Sequence, residues 1–406
     1  MVKRYLGILS LFIFMIFYGI SCGKQSVDTD YKYMYTESNS VQALTASGDG
    51  YYFINGLYLY FCDYETMESV VLCNKPNCLH DKELDENKKY NCNGFLITEG
   101  DSKLITTYDN YLYCYIGMDF LKDIWQPELI RISLDGSKRE TVCILEQNIT
   151  SIALHRGKLY YATSVSSDDE QEAQDGINEY SLKEYDVFKK SAKPIEIVSG
   201  KEIMAVIHDI TPVGNKVRYT KNSEEDNVFA GKEFVYNIDD KSVNQIAEDI
   251  NLKYVGPLTI SEGDYIFTPI SINDGNIEYS DYIYKNNIET GISEKLFKRE
   301  FSDIMHYSDD NYIYVDNILS IEDGNQNRVI TIYDKKGNKV DSIDITANNI
   351  YDSFISGDEK YMFLRGRNEE KAYIRYVDKS KIGTGNLQWQ TLFELEAKYL
   401  DTTVRK

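Results

Sequence analysis

The sequence predicts an all-β fold, a β-propeller of seven four-stranded blades. A polar turn followed by a Tyr-rich strand returns seven times, and these strands begin near residues 51, 111, 159, 217, 265, 312 and 361. The spacing is about 48 residues with two insertions, a period typical of propeller blades. Helical patterns are nearly absent, and the 406 residues include 35 Tyr but only 6 Pro, a composition that favours strands.

Each repeat contains hairpin signals for about four strands. In one clear example the turn Asp109-Asn110 precedes a strand at 111–113. A second strand at 129–132, the turn Asp135-Gly136 and a closing strand at 141–145 follow it. One such sheet cannot bury both faces alone, but in a ring each blade covers its neighbours. Six or eight blades, a β-solenoid and a pair of sandwiches are the structural alternatives.

The strong acidity of the chain bears on its partners. The formal net charge is −21, and removal of residues 1–21, which contain Lys3 and Arg4 but no acid, makes it −23. Such a surface repels phosphate backbones and anionic headgroups, so we expect no nucleic-acid partner. Cationic ligands, metal ions and neutral glycans remain candidate partners. A simpler interpretation is that the charge keeps an exported protein soluble.

The N-terminus has the pattern of a secretory signal. Lys3 and Arg4 precede an uncharged run at 5–20, which is shorter than the ~20 residues of a spanning helix. The stretch Gly19-Ile20-Ser21-Cys22 resembles the lipobox of bacterial lipoproteins, with Gly19 where Leu is usual. The resemblance implies a lipid on Cys22 and a place at the extracytoplasmic face of the bacterial cell membrane. Cleavage without lipid and an uncleaved anchor are the alternatives, and both also place the body outside the cytoplasm.

These observations divide the chain into three parts. Residues 1–21 are the expected lipoprotein signal peptide, and residues 22–43 are the lipidated Cys22 and a tether. Residues 44–400 are the expected propeller, with a Cys/His-containing insert at about 71–96.

The insert has the densest chemistry, with Cys73, Cys78, His80 and Cys92 in the pattern C-x4-C-x-H-x11-C. Three thiolates and an imidazole can hold a structural zinc tetrahedrally, although one residue between Cys78 and His80 is a tight spacing. A disulfide staple, which export permits, is the second interpretation. Unpaired thiols are the third. We expect no other cofactor.

Three further cysteines, Cys62, Cys114 and Cys143, are candidate disulfide partners, so six remain beside Cys22. The insert pattern L-C-x-x-P-x-C-x-H begins at Leu72. Together with the lipobox and the Tyr-rich repeats it resembles uncharacterised lipid-anchored β-propeller-like lipoproteins of low-GC Gram-positive bacteria. The resemblance implies a propeller and an anchor, and no activity or ligand.

Catalytic motifs are absent from the sequence, which has no G-x-S-x-G, H-E-x-x-H or Walker loop. The four histidines are His80, His155, His208 and His306, and His155 and His306 are expected in turns before repeat strands. The acidic run at 168–175 lacks the spacing of a calcium loop, so a solvated loop is expected.

We therefore favour a non-catalytic lipoprotein at the cell surface, with a membrane lipid anchor and a propeller that serves as a scaffold for a protein or glycan ligand. No catalytic residue is singled out. The first alternative is a propeller enzyme that acts on extracellular polysaccharide or peptide. The second is a metal or redox sensor built on Cys73, Cys78, His80 and Cys92.

Overall fold

The computed structural model describes residues 41–96, 103–117, 126–189, 192–225, 228–247, 250, 254–261, 263–273, 276–299, 302–309, 311–322, 325–345 and 353–399. The predicted signal peptide, Cys22 and most of the predicted tether lie outside these residues. The described chain forms seven antiparallel sheets arranged as a seven-bladed β-propeller, so the predicted fold class and blade number are confirmed.

Each blade is built from four strands that follow one another in the chain, except that in blade 5 the additional β20 comes between the second and third. Blades 1 and 2 consist of β2 (Leu44–Ser47), β3 (Gly50–Asn55), β4 (Tyr58–Asp63), β5 (Ser69–Val71), β6 (Lys103–Tyr108), β7 (Tyr111–Ile116), β8 (Glu128–Ser133) and β9 (Arg139–Ile144). Blades 3 and 4 consist of β10 (Ile149–His155), β11 (Lys158–Ser166), β12 (Ile177–Asp186), β13 (Ile195–Ile203), β14 (Val206–Val213), β15 (Lys216–Glu225), β16 (Val228–Asn237) and β17 (Val243–Gln245).

The last three blades follow the same plan. Blade 5 consists of β18 (Tyr254–Ser261), β19 (Asp264–Asn273), β21 (Tyr282–Asn287) and β22 (Ser293–Lys298), with β20 (Asn276–Tyr279) added beside β19. Blades 6 and 7 consist of β23 (Ser302–Ser308), β24 (Tyr312–Glu322), β25 (Asn325–Asp334), β26 (Lys339–Asp344), β27 (Ser353–Gly357), β28 (Tyr361–Arg367), β29 (Lys371–Asp378) and β30 (Gln390–Glu396).

Helices are few and short in the described chain. They are α1 (Glu86–Lys89), α2 (Glu170–Gln174) and the 3-10 turns His80–Lys82, Lys379–Lys381 and Ala397–Tyr399. Among the described residues no helix has the length and apolar character needed to cross a membrane.

The Tyr-rich strand of the sequence repeat is the second strand of each blade, and the strand predicted after it is the third. The sequence analysis did not single out the innermost first strands. One further strand, β1 (Val41–Gln42), pairs in parallel with the start of β6, so that Val41 lies opposite Lys103. The first described strand therefore lies beside the innermost strand of blade 2, and the strands of blade 1 follow it in the chain.

Buried apolar residues of the described chain form seven clusters, one in each seam between neighbouring blades. Strand β3 explains the pattern, because successive side chains of a strand point to opposite faces. Tyr51 and Phe53 pack into the seam with blade 7, whereas Tyr52 and Ile54 pack into the seam with blade 2. Both faces of a blade are thus buried by its neighbours, as a propeller requires.

Among the described residues, the ring closes between blades 7 and 1 without exchange of a strand. Phe393 of β30 contacts Tyr60 and Phe53 of blade 1, with ring centroids 4.5 and 5.4 Å apart. Ser69 Oγ donates to the Leu392 carbonyl at 3.2 Å, and the Tyr51 hydroxyl donates to the Asp358 carboxylate. Aromatic packing and a few polar contacts therefore hold the two ends of the described body together.

A carboxylate or amide marks the end of the third strand in every blade. In each case its oxygen accepts the backbone N–H two residues later, a local turn that Asp and Asn favour. The seven residues are Asp63, Asp135, Asp186, Asn237, Asn287, Asp334 and Asp378. The third-to-fourth strand turns therefore begin alike, although those of blades 3 and 7, at 187–194 and 379–389, are longer than the others.

We expect Phe393→Ala to open the closing seam, because it leaves a cavity between blades 7 and 1. The free energy of unfolding should fall by about 3–5 kcal/mol, as for other buried Phe→Ala changes. Urea unfolding of the purified protein measures this. The exposed Ile292 is the control, since Ile292→Ala should change stability by less than about 0.5 kcal/mol. Equal effects of the two variants would contradict the role of Phe393 in closure.

Candidate metal centre

The Cys/His insert connects blade 1 to blade 2, between β5 and β6. Its end returns to blade 1, where the Leu59 N–H donates to the Gly94 carbonyl and the Leu96 N–H donates to the Leu57 carbonyl, both at 2.7 Å. Phe95 is buried in the seam between blades 7 and 1, and Leu96 in the seam between blades 1 and 2. The insert is therefore part of the packed body.

The structure brings all four predicted side chains of the insert together. The Sγ atoms of Cys73, Cys78 and Cys92 and a ring nitrogen of His80 lie within 4.8 Å of one another. His80 Nδ1 is 3.6 Å from Cys92 Sγ. Bonds of about 2.3 Å to sulfur and 2.0–2.1 Å to nitrogen in a tetrahedral zinc site would separate these two atoms by about 3.6 Å. The donor set can hold a metal ion, and its chemistry fits zinc.

The tight Cys78-Leu79-His80 spacing is accommodated by two left-handed backbone conformations. Asn77 has φ +62° and His80 has φ +53°. This region is unfavourable for residues other than Gly, although Asn and His enter it more readily than most. The chain can thereby turn sharply on both sides of Cys78, so that the His80 ring points back toward the thiols while Leu79 stays exposed.

The surroundings shift the pKa values of Cys73 and Cys92 in opposite directions. Burial works to raise the pKa of Cys73, but hydrogen bonds from the backbone N–H groups of Lys75 and Asn93 and from the neighbouring thiols together outweigh it and lower that pKa. The Asn93 N–H lies 3.4 Å from Cys73 Sγ. Burial raises the pKa of Cys92, and a charged Cys73 raises it further. A positive ion between the two sulfurs would relieve this repulsion.

Polar contacts fasten the insert to both flanking blades. The Tyr60 hydroxyl of β4 donates to Asp81 at 3.0 Å, next to His80. On the other side, Asn93 Nδ2 donates to the Gly136 carbonyl of blade 2 at 3.1 Å, and Arg139 Nη1 donates to the Phe95 carbonyl at 3.2 Å. A metal at this site would therefore stabilise the seam between blades 1 and 2.

The remaining described cysteines lie apart from the cluster. Cys62 is buried in the seam between blades 7 and 1, Cys114 in the seam between blades 1 and 2, and Cys143 packs in the seam between blades 2 and 3. Burial raises the pKa of Cys114 to about 12 and that of Cys143 to about 11, as expected for inert core thiols. None of the six described cysteines forms a disulfide in the structure.

His155, His306 and the acidic run at 168–175 belong to regular secondary structure. His155 ends β10, and its Nε2 lies 2.9 Å from the Gly214 carbonyl of blade 4. His306 lies inside β23, so both belong to first strands and the prediction of turn positions was wrong. The acidic run forms α2, with Asp169 as its N-cap.

A second polar cluster, which sequence reasoning missed, lies on blade 4. A β-bulge in β14 places Asp209 at φ +54°, and His208 Nδ1 lies 2.7 Å from its Oδ2. Behind this pair, the buried Arg218 and Glu233 form an ion pair at 3.2 Å. The adjacent His208 and Asp209 were the only sequence signal, because Arg218 and Glu233 lie on the next two strands and share no motif with them.

We expect the His208–Asp209 pair to make stability depend on pH. Burial lowers the pKa of His208, but the Asp209 carboxylate outweighs burial and raises it above its usual value. The stabilisation is therefore complete below the unfolded pKa of about 6.5 and is lost as pH rises through the folded pKa. The difference in unfolding free energy between wild type and His208→Asn should be larger at about pH 6 than at about pH 9. A difference that is constant with pH, or that grows with pH, would contradict this. Asp209→Asn should remove most of the dependence.

We expect the purified protein to contain about one zinc per chain, since the cluster offers one tetrahedral donor set. Chelation should lower the unfolding free energy by about 3 kcal/mol, the effect of a ligand present at roughly 100 times its Kd. Metal analysis, thiol titration and urea unfolding on one sample measure this. Cys78→Ser and Cys92→Ser should lose the metal, whereas Cys143→Ser should keep it. A metal-free protein whose mass shows paired cysteines would instead establish the disulfide staple.

Known proteins resemble this chain in fold alone. No protein-family model and no curated protein sequence matches it. Similar solved structures include a prolyl endopeptidase (TM-score 0.55, 10% identity), the tricorn protease (0.54, 11%) and an oligogalacturonate lyase from Vibrio parahaemolyticus (0.53, 11%). The alignments cover 91, 90 and 87% of this chain and 52, 36 and 92% of those chains, so this chain spans about half of the endopeptidase and a third of the tricorn protease.

Proposed function

We propose that this chain is a lipid-anchored lipoprotein at the extracytoplasmic face of the bacterial cell membrane, whose propeller is a non-catalytic scaffold for a protein or glycan. The observation that carries the scaffold is a rigid ring with long connections at its surface. They include the Cys/His insert between β5 and β6 and the segment between β11 and β12 that contains α2, and such segments on a rigid frame suit binding.

The zinc in this proposal is structural. Four protein ligands, Cys73, Cys78, His80 and Cys92, fill a tetrahedral site and leave no position for water or substrate. When bound, the ion would cross-link the insert. Backbone N–H groups of the chain orient the thiols, and hydrogen bonds tie the insert to blades 1 and 2. A redox sensor is the alternative use of the same thiols.

The anchor rests on the N-terminal pattern. Within the described residues the first strand, β1, pairs in parallel with β6, so that Val41 lies opposite Lys103. The lipobox, the insert pattern and the Tyr-rich repeats support membership of the propeller-like lipoproteins of low-GC Gram-positive bacteria.

An enzyme that acts on polysaccharides or peptides is the second candidate function, and the His208–Asp209 pair favours it. A His beside a carboxylate can serve as a general base. The named neighbours include peptidases and a lyase, but likeness at 10–11% identity concerns the fold only. We place the scaffold first because Arg218, Glu233 and Thr220 bond to one another behind the pair, as in a buried structural network.

We expect Cys22→Ala to abolish lipid attachment, because the lipid requires the Cys22 thiol. Expressed in a bacterium fed labelled palmitate, the wild type should carry the label and enter the detergent phase on phase separation. Two acyl chains suffice for this, at about 0.8 kcal/mol per buried methylene. The variant should lose the label, and Cys143→Ala should keep it. An unlabelled wild type would refute the anchor and leave the scaffold to be tested separately.

A further inference from the structure

One half-buried arginine has no counter-ion among the described residues. Arg365 lies in β28, the second strand of blade 7, and no described carboxylate, carbonyl or aromatic ring contacts its guanidinium. Burial lowers its pKa, and no described acid opposes this effect. The buried Arg218, by contrast, pairs with Glu233 at 3.2 Å, and Arg328 likewise pairs with Asp316. A charge that has lost part of its water without gaining a partner is costly, so this position suits an external anion.

The side chain of Arg365 faces blade 1. It shares this face with Phe363, two residues earlier, and with Ile374, its cross-strand partner in β29, and both pack in the seam between blades 7 and 1. Arg367 follows on the same face two residues later, at the end of β28, and is exposed. The half-buried guanidinium therefore lies between an apolar layer and a position that opens to solvent.

A second polar group without a partner lies across the same seam. Asn55 ends β3 of blade 1 and is 5% exposed, and its Nδ2 finds no hydrogen-bond acceptor in the described chain. Tyr51, four residues earlier on the same face of β3, packs on Phe363 with ring centroids 4.7 Å apart. Since β3 and β28 are both second strands and run in the same direction, Asn55 and Arg365 both lie beyond this aromatic contact, on the side of the hairpins that follow. Two N–H donor groups that lack acceptors thus face one seam from its two sides.

We propose that Arg365 and Asn55 form a binding site for the carboxylate group of a small ligand. A carboxylate accepts two parallel N–H bonds from a guanidinium, and the Asn55 amide would donate a third. A phosphate dianion fits less well, because its second charge would face the apolar Phe363 and Ile374. The site goes beyond the proposed scaffold function. It uses none of the candidate metal ligands and does not depend on the anchor.

The test titrates the full chain, purified in detergent, with butyrate at constant ionic strength and follows the thermal unfolding midpoint. We expect the midpoint to rise with butyrate, because a ligand of the folded state stabilises it, and to rise much less with the uncharged butyramide. Arg365→Met should bind butyrate about tenfold more weakly and Asn55→Leu about fivefold more weakly. The matched control is Arg375→Met in the adjacent strand β29, whose guanidinium lies over the Tyr373 ring on the side of blade 6, and it should bind within about twofold of wild type.

Stability without butyrate separates an external ligand from a partner within the chain. Arg365→Met should then unfold at the same midpoint as wild type or a higher one, because it removes an unpaired charge. A clearly lower midpoint would show an internal counter-ion and overturn the proposal. Absence of butyrate binding by wild type, equal weakening by Arg365→Met and Arg375→Met, or tighter binding of inorganic phosphate than of butyrate would also overturn it. None of these results bears on palmitate at Cys22 or on bound zinc, so the proposed function is tested separately.

Discussion

Burial of both faces of every blade is the constraint on which the rest of this structure depends. A four-stranded sheet of this size has two apolar faces, and here each face packs against the adjacent blade. The seven seams are therefore interdependent, because an open seam would expose two faces at once. The seam between blades 7 and 1 is the critical one, since no strand within residues 41–399 as described is shared across it and Phe393 packs directly on Tyr60. This constraint also explains why adjacent residues such as Tyr51 and Tyr52 are both buried in one strand.

The same constraint determines what could be predicted from the sequence. Second and third strands are apolar on both faces, and they stood out as Tyr-rich runs with a regular spacing. First strands are harder to recognise, because bulges interrupt their alternation. In β14 the bulge at His208–Asp209 inserts polar residues into a strand that faces two neighbours. The number of blades could be predicted from the repeat. The pairing of β1 with β6 could not, because it joins strands some 60 residues apart and has no local signal in the sequence.

The candidate metal centre was predictable in its residues but not in its geometry. Thiol and imidazole side chains in one short insert indicated a metal or a disulfide, and spacing alone could not choose between them. The missing information was conformational: left-handed backbones at Asn77 and His80 let a one-residue spacer present two ligands to one point. The His208 cluster was invisible for the opposite reason, since Arg218 and Glu233 come from different strands and have no shared pattern.

The insert and the ring constrain each other. Phe95 and Leu96 fill two different seams, so the segment that follows Cys92 is fixed by the packing of blades 7, 1 and 2. Cys73 lies two residues after the end of β5, and the Leu72 N–H between them donates to the Leu59 carbonyl of β4, so the same sheet holds Cys73 in place. Two ligands are thus held by the ring, and Cys78 and His80 lie on the loop between them. An ion that joins all four would transfer the rigidity of the seams to an exposed loop. That loop carries the exposed Leu79, so the metal would order this part of the surface.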